Sequence, residues 1–329
     1  MSKSEALSAA AIGVHDVVDA HFHIWRAADL PWLSGLPVPR IFGPYEPLRR
    51  DYLVDEYVRE ATMAGVRAAV YVQTNWPLDR AVDEVRWVQS VADEHGWPQA
   101  VVGSADLFSP HAGRVLDAQR ALSPLVRGTR LQLHWHEDER FRFASAPNRM
   151  DDPVLRANIG LLAELGWLFE LQVFPGQMRD AVRLVADFPR TTFVLVHAGM
   201  LESVDPRHVA PWRAALELLS EQPNAVVKLS GLGTFVHRVD EGLIRLVVST
   251  AVELFGGERC MFGSNFPIES LWTDFDGLFQ AWLRMLAELP VEARRDVLGR
   301  TARRVYSIRE SPDAAFRAAT VAAGRAGWE

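Results

Sequence analysis

The chain has 329 residues, 49% of them hydrophobic and 23% charged, with a net charge of −7 and no acidic block. That composition excludes disorder, collagen-like repeats and a coiled coil. No basic run exists to grip nucleic acid, no apolar stretch approaches the ~20 residues of a membrane helix, and the single cysteine, Cys260, excludes a disulfide framework and fits a reducing cytoplasm.

Residues 1–15 carry one lysine and several alanines but neither a compact apolar core nor a cleavage pattern. They read as an untargeted lead-in that frays, ahead of one domain over 16–310. Within that domain near-continuous apolar runs at 17–24, 68–74, 100–107, 126–133, 168–174, 192–198, 225–231 and 260–267 alternate with helical stretches. Strands buried on both faces of a parallel sheet have this pattern. Amphipathic segments at 79–95, 153–165, 177–188, 210–221 and 241–255 lie between them, several closed by stop signals such as Gly96, Pro98, Gly166 and Pro189. Eight strands each followed by a helix predict a single (β/α)8 TIM barrel. The rival is an open doubly wound sheet, whose dinucleotide site would want a glycine-rich turn after the first strand. Here that strand runs into HFHIW. Two connections, 25–50 and 134–152, are too long to be mere links, and both follow strand ends on the face where barrels build their sites. Residues 311–329 are expected as a short helical tail outside the barrel.

His21 and His23, in VVDAHFHIW, are two apart on the first strand and so project together. Two adjacent imidazoles are poor packing unless something satisfies their nitrogens; they read as a site, against a pair of hydrogen-bonded core histidines. His197 ends strand six in FVLVHAGM and is expected at the same rim. Strand four presents Arg130, Gln132 and His134 on one face. An arginine toward a barrel lumen needs an anion, either a substrate carboxylate or an internal partner such as Glu170. Gln172 and Lys228 are weaker candidates for substrate contact, and a neighbouring carboxylate could instead hold Lys228. Trp25, Trp76 and Trp135 each fall just past a strand end and read either as a pocket wall or as core. Strand eight brings Ser264, Asn265 and Pro267 to the barrel mouth, with Glu269 close behind.

The motifs VVDAHFHIW, PWL, VRGTRLQL, FELQVFPGQM, VHAGM, KLSGLG and CMFGSNFPIESL, over residues 16–308, resemble the amidohydrolase superfamily, in particular its branch of sugar-acid lactonases and 2-pyrone-4,6-dicarboxylate lactonase. The resemblance implies a distorted barrel, amidohydrolase type, that hydrolyses small cyclic esters. It also implies that His21, His23 and His197 can bind a divalent metal ion and that an aspartate on the last strand activates water. This chain departs from the pattern: Asn265 stands at the aspartate position, Val196 precedes His197 where an aspartate is often found, and Thr301 replaces a usual asparagine. An amide cannot take the proton that a carboxylate accepts. Asn265 is therefore expected to orient water or carbonyl, leaving the base as metal-bound hydroxide, His197 or a carboxylate such as Glu269. Three neutral imidazoles form a workable mononuclear zinc site, and a metal-free mechanism stands open beside it.

The expected activity is opening of a small lactone bearing a carboxylate or several hydroxyls. The alternatives are a metal-dependent decarboxylase of an aromatic or unsaturated acid, from a sister branch, and a barrel that only binds ligand. The expected partner is a small-molecule substrate, with no nucleic acid and no membrane; a homo-oligomer is compatible with the sequence.

Overall fold

A computed structural model describes residues 6–309. Eight parallel strands follow one another round the sheet in chain order: β1 Val17–Phe22, β2 Val66–Val72, β3 Ala100–Gly103, β4 Val126–Gln132, β5 Leu168–Gln172, β6 Phe193–Leu195, β7 Ala225–Leu229 and β8 Cys260–Phe262. The ladder runs unbroken from β1 to β8. Just past β8, the Asn265 amide donates to His21 O (2.7 Å) and the His23 amide to Phe266 O (2.7 Å), which ties the last strand back to the first. The chain folds as a single (β/α)8 barrel.

The eight helices that follow the strands are α1 Val54–Met63, α2 Ala81–His95, α3 Ala112–Leu122, α4 Pro153–Leu165, α5 Met178–Asp187, α6 Pro206–Ser220, α7 Glu241–Phe255 and α8 Phe275–Leu286. Local chemistry sets their ends. Asp152 accepts from the Val154 and Leu155 amides ahead of Pro153, and Gly166 closes α4 with a left-handed φ of 68°. Asp205, Asp240 and Asp274 cap α6, α7 and α8 in the same way. Each such cap contributes about 1 kcal/mol.

Inside the barrel, Val18, Ala20, Val70, Val102 and Met261 pack over Tyr306 and Ala302, so the chain's last described turn closes the floor. A polar layer lies within this plug. Lys228 Nζ stands 2.5 Å from Glu170 Oε1, both side chains fully buried, and Tyr306 donates its hydroxyl to the same oxygen (2.6 Å).

Two sequence expectations change at their edges. The apolar runs overshoot the strands at their carboxyl ends, most of all at 100–107 and 260–267, where the ladder stops at Gly103 and Phe262. The lead-in expected to fray is packed over residues 7–14: Ala9, Ile12 and Val14 are buried, Leu7 exchanges hydrogen bonds with Gln280 on α8, and Arg294 donates to Ile12 O. The expected 311–329 tail lies outside the described residues. No helix among the described residues is long and apolar enough to cross a membrane.

Candidate active site

A break in register aims the β1 histidines. Asp19 pairs with Ala69 and Phe22 with Tyr71, so two β1 residues, Ala20 and His21, span the single β2 residue Val70. This bulge reverses the alternation. Asp19 turns to the outer wall, where it accepts from Tyr57 Oη (2.9 Å), Ser264 Oγ (2.5 Å) and the Ser264 and His21 amides. His21 and His23 turn inward, their rings 5.0 Å apart and edge to face. His23 donates Nδ1–H to Val72 O (2.7 Å), which leaves Nε2 with a free lone pair. Both ring nitrogens of His21 are buried without a partner.

His197 follows β6 on a turn in which His197 and Ala198 both hold left-handed backbone, φ 54° and 48°. Such conformations cost of order 1–3 kcal/mol each and persist where the surroundings impose them. The turn brings the His197 ring to 4.9 Å from that of His21, with Nδ1 2.9 Å from Ser230 Oγ at the end of β7. Gly231, at φ 65°, leaves the space that ring needs, since a Cβ there would stand 2.5 Å from His197 Nδ1. Burial holds all three imidazoles well below the usual histidine range, His23 at about 3, and Lys228 and Arg130 push the same way. All three are neutral at neutral pH.

Asn265 also has left-handed backbone, φ 58°, which asparagine tolerates better than most residues. Its side chain lies against His23, and Nδ2 donates to Glu269 Oε1 (3.4 Å). On the opposite wall Arg130 is 5% exposed and donates Nη2–H to Gln73 O (2.6 Å), while its Nε is buried without a partner. The internal ion pair with Glu170 does not form: Glu170 turns Oε1 to Lys228 and Tyr306, and its Oε2 is buried without a partner.

A cleft opens at this end of the barrel, lined by His23, His197, Asn265, Arg130, Gln132, Gln172 and Trp25 among the expected residues. Three expected residues stand elsewhere. His21 sits behind His23 and His197. Lys228 belongs to the buried pair below, its ammonium 5.1 Å from the Tyr306 ring, so it is corrected from substrate contact to barrel plug. His134 packs between Phe143 and Phe174 outside the lining, its Nδ1 buried and unpartnered. Of the three strand-end tryptophans only Trp25 lines the cleft; Trp76 stacks on Trp87, and Trp135 lies under Arg142.

Sequence reasoning missed Trp32, Arg40, Phe42, Asn75, Met200 and Phe235 in the lining. Arg40 lies in the middle of the proline- and aromatic-rich 25–50 segment, which also carries Arg26, Arg49 and Arg50. Its guanidinium lies 4.8 Å from the Trp32 ring centre, and its Nε is buried without a partner.

The donor set fits a borderline divalent ion such as zinc: three neutral imidazoles with nitrogens not committed to hydrogen bonds. The chemistry of the donors carries that fit, rather than their spacing. Among the described residues no three His, Cys, Asp or Glu side chains already stand as a metal cage.

A parallel barrel with histidines and amides gathered at its carboxyl-terminal mouth defines a class of small-molecule enzymes. The chain belongs to the amidohydrolase family, whose profile matches residues 18–308, and it is a hydrolase. It is 30% identical to L-fucono-1,5-lactonase of Burkholderia multivorans, over 90% of this chain and 98% of that protein. It is 32% identical to the uncharacterized protein y4mH of Sinorhizobium fredii, over 89% and 98%. A crystal structure of an amidohydrolase from Burkholderia multivorans with bound zinc superposes with a TM-score of 0.76 at 29% identity, covering 89% of this chain and 99% of that one. Decarboxylases that share the fold stand at 14% identity, a likeness of fold alone.

Proposed function

We propose that this hydrolase opens a small lactone bearing a carboxylate, with Arg130 as the anchor for that carboxylate. The observation that carries the reading is Arg130 itself: a guanidinium 5% exposed, in the cleft wall with the histidines, without an ion-pair partner among the described residues. A buried cation in that state is costly unless a ligand supplies the anion. The lactonase relative at 30% identity supports the reaction type.

In this reading His21, His23 and His197 would hold a divalent metal ion, which when bound would supply Lewis acidity and lower the pKa of a water. The chain's own residues do the rest. Arg130 fixes the carboxylate and with it the ring, while Gln132 and Gln172 offer amide N–H groups to ring hydroxyls or the carbonyl. Asn265 orients water by hydrogen bonding without taking its proton. Trp25, Trp32 and Phe42 exclude bulk solvent from the mouth.

The test compares paired lactones with and without the carboxylate. Arg130→Lys keeps the charge but loses the bidentate fork. It should lower kcat/KM for the carboxylated lactone by about 2 kcal/mol, roughly 30-fold, and leave the neutral one nearly unchanged. Equal loss on both would make the arginine structural.

A further inference from the structure

Glu269 is 1% exposed on the turn Ile268–Leu271, one step behind the cleft wall. Its amide donates to Asn265 O (3.3 Å), which folds the turn back over Asn265. One carboxylate oxygen accepts from Asn265 Nδ2 (3.4 Å) and the other from Trp272 Nε1 (2.7 Å). The backbone of Gly233 adds a further donor, and a side chain on Gly233 would collide with both Glu269 and Trp272. No charged group among the described residues faces it. Its surroundings are Asn265, Trp272 and Gly233, with His237 stacked on Trp272 (5.6 Å). A carboxylate this deeply buried, without a cation, is expensive to keep and gives the barrel no ion pair.

We infer that Glu269 is a positioning residue for this site, its carboxylate holding the Asn265 amide so that the oxygen, and not the NH2, is presented to His23 and the cleft. An ionised carboxylate can only accept hydrogen bonds, so it draws the Asn265 NH2 toward itself and turns the amide oxygen the other way. His23 has committed Nδ1–H to Val72 O, so the amide oxygen is a second acceptor, beside the His23 Nε2 lone pair, for a water in the cleft. Protonated Glu269 could instead donate to the Asn265 oxygen. The amide would then turn over and set its NH2 against the lone pair of His23. Burial pushes Glu269 up to about 7, so the two orientations exchange across neutral pH.

The role rests on the hydrolase reading only for its activity readout, so the experiment has two arms. In the first, kcat is followed against pH for wild type, Glu269→Gln, and the double variant Asn265→Asp with Glu269→Gln. In Glu269→Gln the amide oxygen is claimed by the Trp272 indole and Gly233, which leaves NH2 facing Asn265 and locks the wrong orientation. The expected result is a wild-type rate that rises with pH through about 7. Glu269→Gln should lose that limb and on the order of 100-fold in kcat, with little change in KM. The double variant should recover much of the rate, because its new carboxylate accepts from the glutamine NH2 and still offers an oxygen to the cleft. In the second arm, the Asn265 side-chain amide signals of wild type, assigned by their loss in Asn265→Asp, are followed by NMR against pH without substrate. They should titrate with the limb. A Glu269→Gln variant with wild-type rate and limb, or an amide indifferent to pH, overturns the inference. A wild type that opens no lactone overturns the functional reading instead, and the amide titration then decides the positioning role alone.

Discussion

His21 shows what a site residue looks like energetically. Neither of its buried nitrogens has a hydrogen-bond partner, so the folded chain gains nothing from their polarity and bears their desolvation. A residue of that kind is kept for what it binds. His21→Leu should therefore unfold at a denaturant midpoint no lower than that of chelator-treated wild type; under the proposed function it should also lose nearly all turnover and the zinc binding that titration calorimetry would read. A variant that keeps turnover would remove His21 from the site. One that unfolds early would show that the ring is a packing element. The contrast with Asp19 is direct: that carboxylate accepts four hydrogen bonds on the outer wall and holds β8 to β1, so its loss should cost stability first.

At the scale of elements, the site is made where regular structure stops. β6 ends at Leu195 and β8 at Phe262, and the residues beyond them, His197 and Asn265, take left-handed backbone. Gly231 is the partner of the first of these turns. Gly231→Ala meets both a positive φ and the His197 ring, so it should cost about 1–3 kcal/mol in stability and a larger factor in kcat through displacement of His197. Gly166→Ala has a similar φ of 68° but nothing within 4 Å of the added methyl; it should cost about 1 kcal/mol and leave kcat alone. Urea titration and kcat, measured on both, separate strain from collision. Much of this architecture was legible. The apolar runs named all eight strands because both faces are buried, and Gly96 and Gly166 marked helix ends through chemistry local to the chain. The histidines were legible because their spacing of two survives the bulge. The bulge itself was not, nor was the burial of residues 7–14, nor the pairing that turns Glu170 away from Arg130. Each depends on contacts between residues far apart in sequence: Asp19 with Ser264, Leu7 with Gln280, Glu170 with Lys228 and Tyr306. Arg40 escaped because one cation in a loop carries no periodicity.

For the whole molecule, the buried Glu269 carboxylate links stability to pH. Its folded value of about 7 lies above its ordinary 4.5, so over that interval the native state binds the proton more tightly than the unfolded chain. The stability it contributes is present below about 4.5 and is lost as pH rises through 7, on the order of 3 kcal/mol in all. Wild type should thus lose stability between pH 5 and 8 relative to Glu269→Gln, in denaturant midpoints taken at matched ionic strength. Parallel curves for the two proteins would mean that Glu269 titrates alike folded and unfolded.

The floor of the barrel has a consequence for traffic. With Tyr306, Ala302 and the Lys228–Glu170 pair filling the lumen beneath the histidines, the reaction chamber is a blind well with one door. Whatever enters past Trp32 and Arg40 must leave the same way, and a ring-opened acid leaves with one more negative charge than the ester that came in. Arg130 at the wall and Arg40 at the rim, both lining that passage, would grip the departing product more firmly than the arriving substrate. For the lactone proposed above, the exit of the acid, rather than the cleavage of the ring, is the step such a well would slow.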